Sequence, residues 1–278
     1  MSLFSSALLV YKPTNTCMDI AERSLHVLRQ HGLRVSTITV DDIASARALS
    51  LEEPREIDLV VAVGGNGTFM KSAKVSPRTS FILPYPCGRR NVYYEHGLPS
   101  IDVLIERVLK GDFFVEFLPK YHVCSELDCV SFINDVVIVN VDLGKVSSYA
   151  VSILSPLVNS ELVFEGDGVI LSTSTGSGGH NLSARGPLIT PALEALVITP
   201  LNPIQATITS IVASSFSKIV VKARNKAAVY VDGDIFTSIE KGGSVEIPGH
   251  AEYVKVIRFN PTRDLVRVVF ESRRHIYQ

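Results

Sequence analysis

A change of rhythm near residue 112 divides this sequence into two kinds of text. Upstream, apolar runs alternate with helical patterns. "SALLVYKP" reads as a strand that runs into a loop, and "TCMDIAERSLHVLRQHG" carries Ile20, Leu25 and Leu28 at helical spacing before Gly32 stops it. "LRVSTITV" is a strand, "DDIASARALS" a short helix and "IDLVVAVGG" a strand buried on both faces. "TSFILPYP" adds a strand, and "PSIDVLIERVLKGD" an amphipathic helix ended by Gly111. Strands that alternate with helices predict a parallel sheet with crossover helices.

Downstream, from Phe113 to about Phe259, short β-rich runs follow one another closely: "FFVEFLP", "YHVCSEL", "SFINDVVIVN", "LVFEGDGVILST", "KIVVKA", "AAVYVDGD" and "YVKVIRF" among them. Only "NPIQATITS" and "PALEAL" interrupt the pattern. Many strands at short spacing with little helix between them predict an all-β layered sandwich. The expected division is an α/β domain at 1–112, a β-rich domain at 113–260 and a C-terminal segment at 261–278 that can return to the first domain.

Of the 278 residues 46% are hydrophobic, enough to bury one large core or two modest ones. A net charge of -1 gives no field that favours nucleic acid or an anionic membrane. The first apolar run stops at Lys12-Pro13, too short for a signal peptide, and no segment approaches the ~20 apolar residues that span a bilayer. A cytoplasmic protein with no membrane or nucleic-acid partner is expected. Cys17, Cys87, Cys124 and Cys129 are scattered, and His122, Cys124 and Cys129 lack the usual zinc spacing. Buried free thiols and no metal site are expected.

Three segments carry chemistry. Gly64-Gly65-Asn66-Gly67-Thr68 follows a buried strand and opens a helix, the arrangement that brings bare backbone amides to a phosphate. Without Gly-Lys-Ser/Thr it is no P-loop. In "FINDVVIVN", Asn134 and Asp135 stand side by side in an apolar strand, where neighbours point to opposite faces, so one of them faces a core or a cleft. The third, "GDGVILSTSTGSGGHNLSARGPLITP", places Asp167 in a Gly-Asp-Gly turn, then five hydroxyl residues, glycines, His180 and Asn181. Hydroxyls and amides at that density predict a polar pocket wall for a base, ribose or phosphate.

In this order the segments resemble the NAD kinase family. Its signature is a Gly-Gly-Asp-Gly-Thr loop, an Asn-Glu pair in a strand, an Asp-Gly strand, and a Thr-Gly-Ser loop that runs into a Leu-Ser-Ala-Gly-Gly-Pro turn. "VYVDGD" and "VKVIRF" look like its late Val-Asp-Gly turn and Arg-containing strand. The resemblance spans roughly residues 58 to 260. It implies an α/β domain followed by a β domain, with a dinucleotide bound between them. It also implies phosphoryl transfer from ATP or polyphosphate, with Mg2+ on the nucleotide, to the adenosine ribose 2′-hydroxyl of NAD. A homodimer or homotetramer is expected on the same ground. Carried over by position, Gly64, Gly65, Gly67 and Thr68 shape the phosphate and ribose site, and Asn66 takes the place of the family's catalytic Asp. Asn134 and Asp135 fix ribose or adenine, and Thr175, Ser177, His180 and Ser183 belong to the loop that lines the base. Asp167 is the strand-leading Asp that reaches a substrate in a neighbouring subunit. Arg89 and Arg90 are candidates for neutralising phosphate.

The departures matter as well. An amide at Asn66 can bond a hydroxyl but cannot take its proton. Gly178-Gly179-His180 stands where the family has Thr-Ala-Tyr, and Asp135 is one methylene shorter than Glu. Slow NAD kinase chemistry is the favoured expectation. A silent NAD(P)-binding sensor and a kinase for another hydroxyl substrate, such as a lipid, are the alternatives.

Overall fold

The computed structural model describes residues 3–45, 57–87, 92–142, 144–156, 159–262 and 264–274. Arg89, Arg90 and the part of "DDIASARALS" beyond residue 45 lie outside them. The chain forms two compact units, one made of the residues up to Leu118 and from Tyr253 onward, the other of Pro119–Glu252.

The first unit opens with β1 (Ser6–Tyr11), α1 (Asn15–Gln30), β2 (Arg34–Thr39), α2 (Val40–Ser45), β3 (Leu59–Gly64), α3 (Asn66–Val75), β4 (Phe81–Pro86) and α4 (Ile101–Leu109). β1 pairs in parallel with β2 and β3, and β3 pairs in parallel with β4, giving the order β2-β1-β3-β4. Every residue of β3 is buried, as expected of a strand covered on both faces. Helix α4 turns Ile101, Leu104, Ile105 and Val108 inward at helical spacing. α1 buries Cys17, Ala21, Ser24 and Leu28, and Ile20 and Leu25 pack partly buried against the same core.

β5 (Phe114–Cys124) begins where the rhythm of the sequence changes; its residues through Leu118 stay with the first unit and the rest belong to the second. The second unit then runs through β6 (Cys129–Phe132), β7 (Asp135–Asn140), β8 (Ser147–Leu154), β9 (Asn159–Gly166) and β10 (Gly168–Thr173). A 3-10 turn at Gly176–Gly178 leads into the short α5 (His180–Ser183). β11 (Ala195–Leu201), β12 (Ile211–Ser214), β13 (Lys218–Ala223), β14 (Ala227–Val231), β15 (Asp234–Ile239) and β16 (Ser244–Ile247) complete it. One layer is a six-stranded antiparallel sheet of order β12-β11-β10-β7-β14-β15. The other joins β16, β13, β8 and β9, with β6 paired to β5. Alternate residues meet in the core between the layers: Tyr149 and Val151, Ile219 and Val221, Val136 and Ile138, Val169 and Leu171.

β17 (Glu252–Arg258) and α6 (Leu265–Arg274) close the chain, and β17 pairs in parallel with β4. The fold is an N-terminal α/β domain with a C-terminal all-β domain. Among the described residues no helix is long and apolar enough to cross a membrane.

The cysteines correct the sequence reading. None of the four is a free thiol: Cys17 is bonded to Cys87, and Cys124 to Cys129. Cys124 and Cys129 are directly paired across the β5–β6 hairpin, so the antiparallel register itself brings the sulfurs together. Cys17 meets Cys87 because α1 packs over the parallel sheet at the end of β4, an adjacency that spans 70 residues of sequence.

Candidate functional site

In the first unit the strand order 2-1-3-4 reverses direction between β1 and β3, and open α/β sheets bind ligands outside the carboxyl ends of strands at such a point. Gly64 ends β3 there. A Cβ on Gly64 would collide with the Thr68 side chain, so glycine lets the helix turn back tightly on the strand. Gly65 caps α3 and its carbonyl accepts the first helical bond, from the Phe69 N–H at 3.1 Å. The N–H groups of Asn66, Gly67 and Thr68 therefore sit ahead of the helical ladder, at the positive end of the helix dipole. Gly67 is exposed, and a Cβ there would meet nothing within 4 Å.

The segment 93–95, which sequence reasoning passed over, secures this turn. The Tyr93 N–H donates to Asn66 Oδ1 at 3.3 Å, and the Tyr93 ring stacks on Phe69 with centroids 4.4 Å apart. The Tyr94 hydroxyl donates to the Gly65 carbonyl at 2.9 Å. Burial pushes the Tyr94 phenol far above its ordinary range against the opposing charge of Arg258, so it stays a donor. Arg258, 2% exposed, donates to the Tyr93 carbonyl at 2.8 Å and pairs with Glu116 at 2.6 Å. Glu95 accepts the N–H groups of Phe259 and Asn260, both at 2.9 Å. Its buried carboxylate thus ties the loop to the end of β17. On the other side, the Cys87 N–H donates to the Gly64 carbonyl at 2.8 Å, and the disulfide fastens that residue to α1. The adjacent tyrosines in "NVYYEHG" were the available signal, since paired buried phenols need partners.

In the second unit the structure overturns the idea that Asn134 and Asp135 point to opposite faces of one strand. β7 starts at Asp135, and Asn134 sits in a bend ahead of it. Both side chains lie against Gly179: a Cβ there would stand 3.8 Å from Asn134 Nδ2 and 3.8 Å from Asp135 Oδ2. Alternation holds inside a strand, and the bend escapes it. Asp135 is buried and Asn134 half-buried.

The hydroxyl-rich loop is also built differently from a pocket wall. Ser172, Thr173, Ser174 and Ser177 are buried, and their hydroxyls bond the protein's own backbone. Thr173 Oγ1 donates to the Ile133 carbonyl at 2.5 Å and accepts the Gly176 N–H at 3.0 Å. Ser174 bridges the Leu193 carbonyl and the Ala195 N–H, and Ser177 bridges the Ser174 carbonyl and the Ile189 N–H. Asn181 donates to the carbonyls of Ser177 and Pro187 and accepts from Thr199. These groups hold the loop's shape. A Cβ on Gly176 would collide with the Asn134 carbonyl, so the loop and the bend are pressed together.

Thr175, His180 and Ser183 complete the expected loop residues. Thr175 is 6% exposed, and its Oγ1 is buried with no hydrogen-bond partner. His180 and Ser183 are exposed on α5. Asp167 is half-buried at the head of β10 and accepts from Asn202 Nδ2 at 2.8 Å. The neighbouring Tyr149 phenol is pushed up to about 12 by burial and by the charge of Asp167, and it donates to Asn140 at 2.5 Å. Among the described residues no group of three His, Cys, Asp or Glu side chains could hold a metal ion.

Residues 133–259 match the model of the ATP-NAD kinase C-terminal domain. Among solved structures, the chain is similar over 98% of its length to an NAD kinase from Archaeoglobus fulgidus in complex with ATP, at 24% identity and a TM-score of 0.72, covering 99% of that chain. It is similar over 99% of its length to yeast NADH kinase complexed with NADH, at 17% identity and a TM-score of 0.78, covering 89% of that chain. The NAD kinase of Thermococcus sibiricus is 30% identical over 222 residues, 78% of each chain. With 30% identity over 78% of each chain, this chain belongs to the NAD kinase family.

Proposed function

We propose that this chain transfers a phosphoryl group from ATP to the adenosine ribose 2′-hydroxyl of NAD, giving NADP and ADP. The observation that carries the reading is the turn at Gly64–Thr68, which presents the N–H groups of α3 at the carboxyl end of β3 in a chain of this family. The solved neighbours that hold ATP and NADH support the two ligands. The hydroxyl oxygen attacks the terminal phosphorus, the bond to the ADP oxygen breaks, and the hydroxyl proton passes to solvent water. Asn66 cannot accept that proton; its Oδ1 already accepts the Tyr93 N–H, and its NH2 can orient the hydroxyl. In a loose transition state the proton leaves late, so positioning and charge neutralisation supply most of the rate. Turnover is slow, because the missing general base is worth ~10² to 10⁴-fold.

Asn134 and Asp135 beside Gly179 hold the ribose or adenine, with Thr175, His180 and Ser183 next to the base and Asp167 reaching a neighbouring subunit. Ser177 shapes the loop from within. The unpartnered Thr175 hydroxyl supports this, since a ligand acceptor would relieve the cost of leaving it unpaired. Gly64, Gly65, Gly67 and Thr68 cradle phosphate, with Arg89 and Arg90 as further phosphate contacts. Mg2+ would enter with the nucleotide and neutralise charge on its phosphates. A homodimer or homotetramer belongs to the same reading, supported by β12 and β15 as the outer strands of the six-stranded sheet. So does a cytoplasmic location, where the thiol pool would favour the reduced form of the two disulfides.

Titration calorimetry with NAD, NADP, ATP and a short-chain diacylglycerol tests the proposal. Binding of NAD and ATP, with NADP formed from the pair, is expected. Asn66 also favours a second reading, a silent sensor; tight NAD binding with no NADP formed would select it. Diacylglycerol binding without NAD binding would select a lipid kinase.

A further inference from the structure

We infer that Asp232 is a positioning residue for the dinucleotide site: its carboxylate holds the bend at Ile133–Asp135 in the shape that turns Asn134 and Asp135 toward the same ligand. The inference rests on the reading of those two residues as NAD contacts.

Asp232 and Gly233 form the two-residue turn between β14 and β15, with φ of 50° and 90°. Two positive φ values make this a type I′ hairpin, for which Asp-Gly is a favoured pair. The turn alone would explain the residue types, but not where the side chain goes. Asp232 Oδ1 accepts the Asn134 N–H at 2.8 Å, the Asp135 N–H at 3.2 Å and the Ile133 N–H at 3.3 Å, and Oδ2 lies 3.2 Å from the same Ile133 nitrogen. In return the Asp232 N–H donates to the Asp135 carbonyl at 2.9 Å. Three consecutive amides converge on one carboxylate 97 to 99 residues away in sequence. Successive N–H groups of this kind form a concave anion nest, and here the anion is part of the chain.

The consequence lies on the other side of the bend. The Asn134 carbonyl accepts the Thr173 N–H at 2.9 Å and the Ser172 hydroxyl at 3.3 Å. The Asn134 peptide is thus held from below by Asp232 and from above by the hydroxyl loop, and its side chain is delivered beside that of Asp135 against Gly179. Released from Asp232, the bend can continue the extended conformation of β7, and alternation would then send the two side chains to opposite faces. A turn has no need for this carboxylate: Asn-Gly and Gly-Gly suit a type I′ hairpin equally well. Asp also adds a negative charge close to Asp135, a cost that the grip on the three amides offsets.

That equivalence supplies the test. Asp232→Gly keeps the hairpin and deletes every acceptor; Asp232→Asn keeps the hairpin and the Oδ1 acceptor. Amide hydrogen exchange on the full chain is expected to show slow exchange at Ile133, Asn134 and Asp135 in the parent, fast exchange in Asp232→Gly and slow exchange again in Asp232→Asn. In steady-state assays Asp232→Gly is expected to raise KM for NAD ten-fold or more and leave KM for ATP within about two-fold, with Asp232→Asn restoring KM for NAD to within about three-fold. A purely structural role would lower the folded, active fraction and leave both KM values unchanged. A folded Asp232→Gly with protected amides, or with an unchanged KM for NAD, would overturn the inference. Should the parent protein neither bind NAD nor form NADP, the functional reading fails, and the exchange pattern still decides whether Asp232 holds the bend.

Discussion

The loop after β3 and the loop after β10 both leave a fully buried strand and lead into a helix, yet they use their polar groups in opposite ways. After β3 the polar groups are backbone amides at the start of α3, freed by glycines, while the Tyr93 N–H and the Tyr94 hydroxyl brace the turn through Asn66 Oδ1 and the Gly65 carbonyl. After β10 the polar groups are hydroxyls, and Ser172, Thr173, Ser174 and Ser177 spend them inward on the loop's own frame. A glycine pattern therefore reports a surface offered to a ligand more directly than a hydroxyl pattern, whose donors and acceptors can satisfy one another.

The staples of the two units separate most widely. In a chain-entropy picture the Cys17–Cys87 bridge, across 70 residues, is worth about 4 kcal/mol, and the Cys124–Cys129 bridge, across five, about 2 kcal/mol. Urea denaturation of the paired Cys→Ala variants is expected to rank them in that order. Equal losses would show that strain or unfolded-state structure outweighs loop length. The glycines come next. Gly176→Ala drives a Cβ into the Asn134 carbonyl, where only backbone can yield, and is expected to cost about 3 kcal/mol of stability. Gly67→Ala meets open space and is expected to leave stability unchanged or raised by less than about 1 kcal/mol, while it weakens nucleotide binding. Unchanged ATP affinity in Gly67→Ala would remove the glycine turn from the site. The smallest effect is at Thr175. Thr175→Val deletes the unpartnered hydroxyl, so the free protein is expected to gain up to about 1 kcal/mol in thermal denaturation as NAD affinity falls. A loss of stability would mean that the hydroxyl belongs to the scaffold with Ser174 and Ser177.

Much of this was legible in the sequence, and the failures share a cause. Local signals hold: β3, α3 and α4 lie where periodicity and glycine place them, and the glycine turn falls at the end of a buried strand. What escaped depends on residues far apart in the chain. The cysteines pair because of helix-on-sheet packing and hairpin register, and no count of spacings gives Cα separations of 5.6 and 4.1 Å. Asn134 escapes strand alternation because Asp232, 98 residues on, accepts its N–H and holds it in a bend. The "VYVDGD" hairpin was visible as a turn, but the reach of its carboxylate was not. Arg258 and Glu95 likewise work across 165 and 164 residues to brace the glycine turn.

The measurement closest to the central claim is the rate of NADP formation from ATP and NAD by the parent chain and by Asn66→Asp. A carboxylate at that position can accept both the Tyr93 N–H and the ribose proton, so the rate is expected to rise ten-fold or more with binding of NAD little changed. A folded Asn66→Asp protein that binds NAD and ATP yet forms NADP no faster than the parent would contradict the assignment of this turn as the place where phosphoryl transfer occurs.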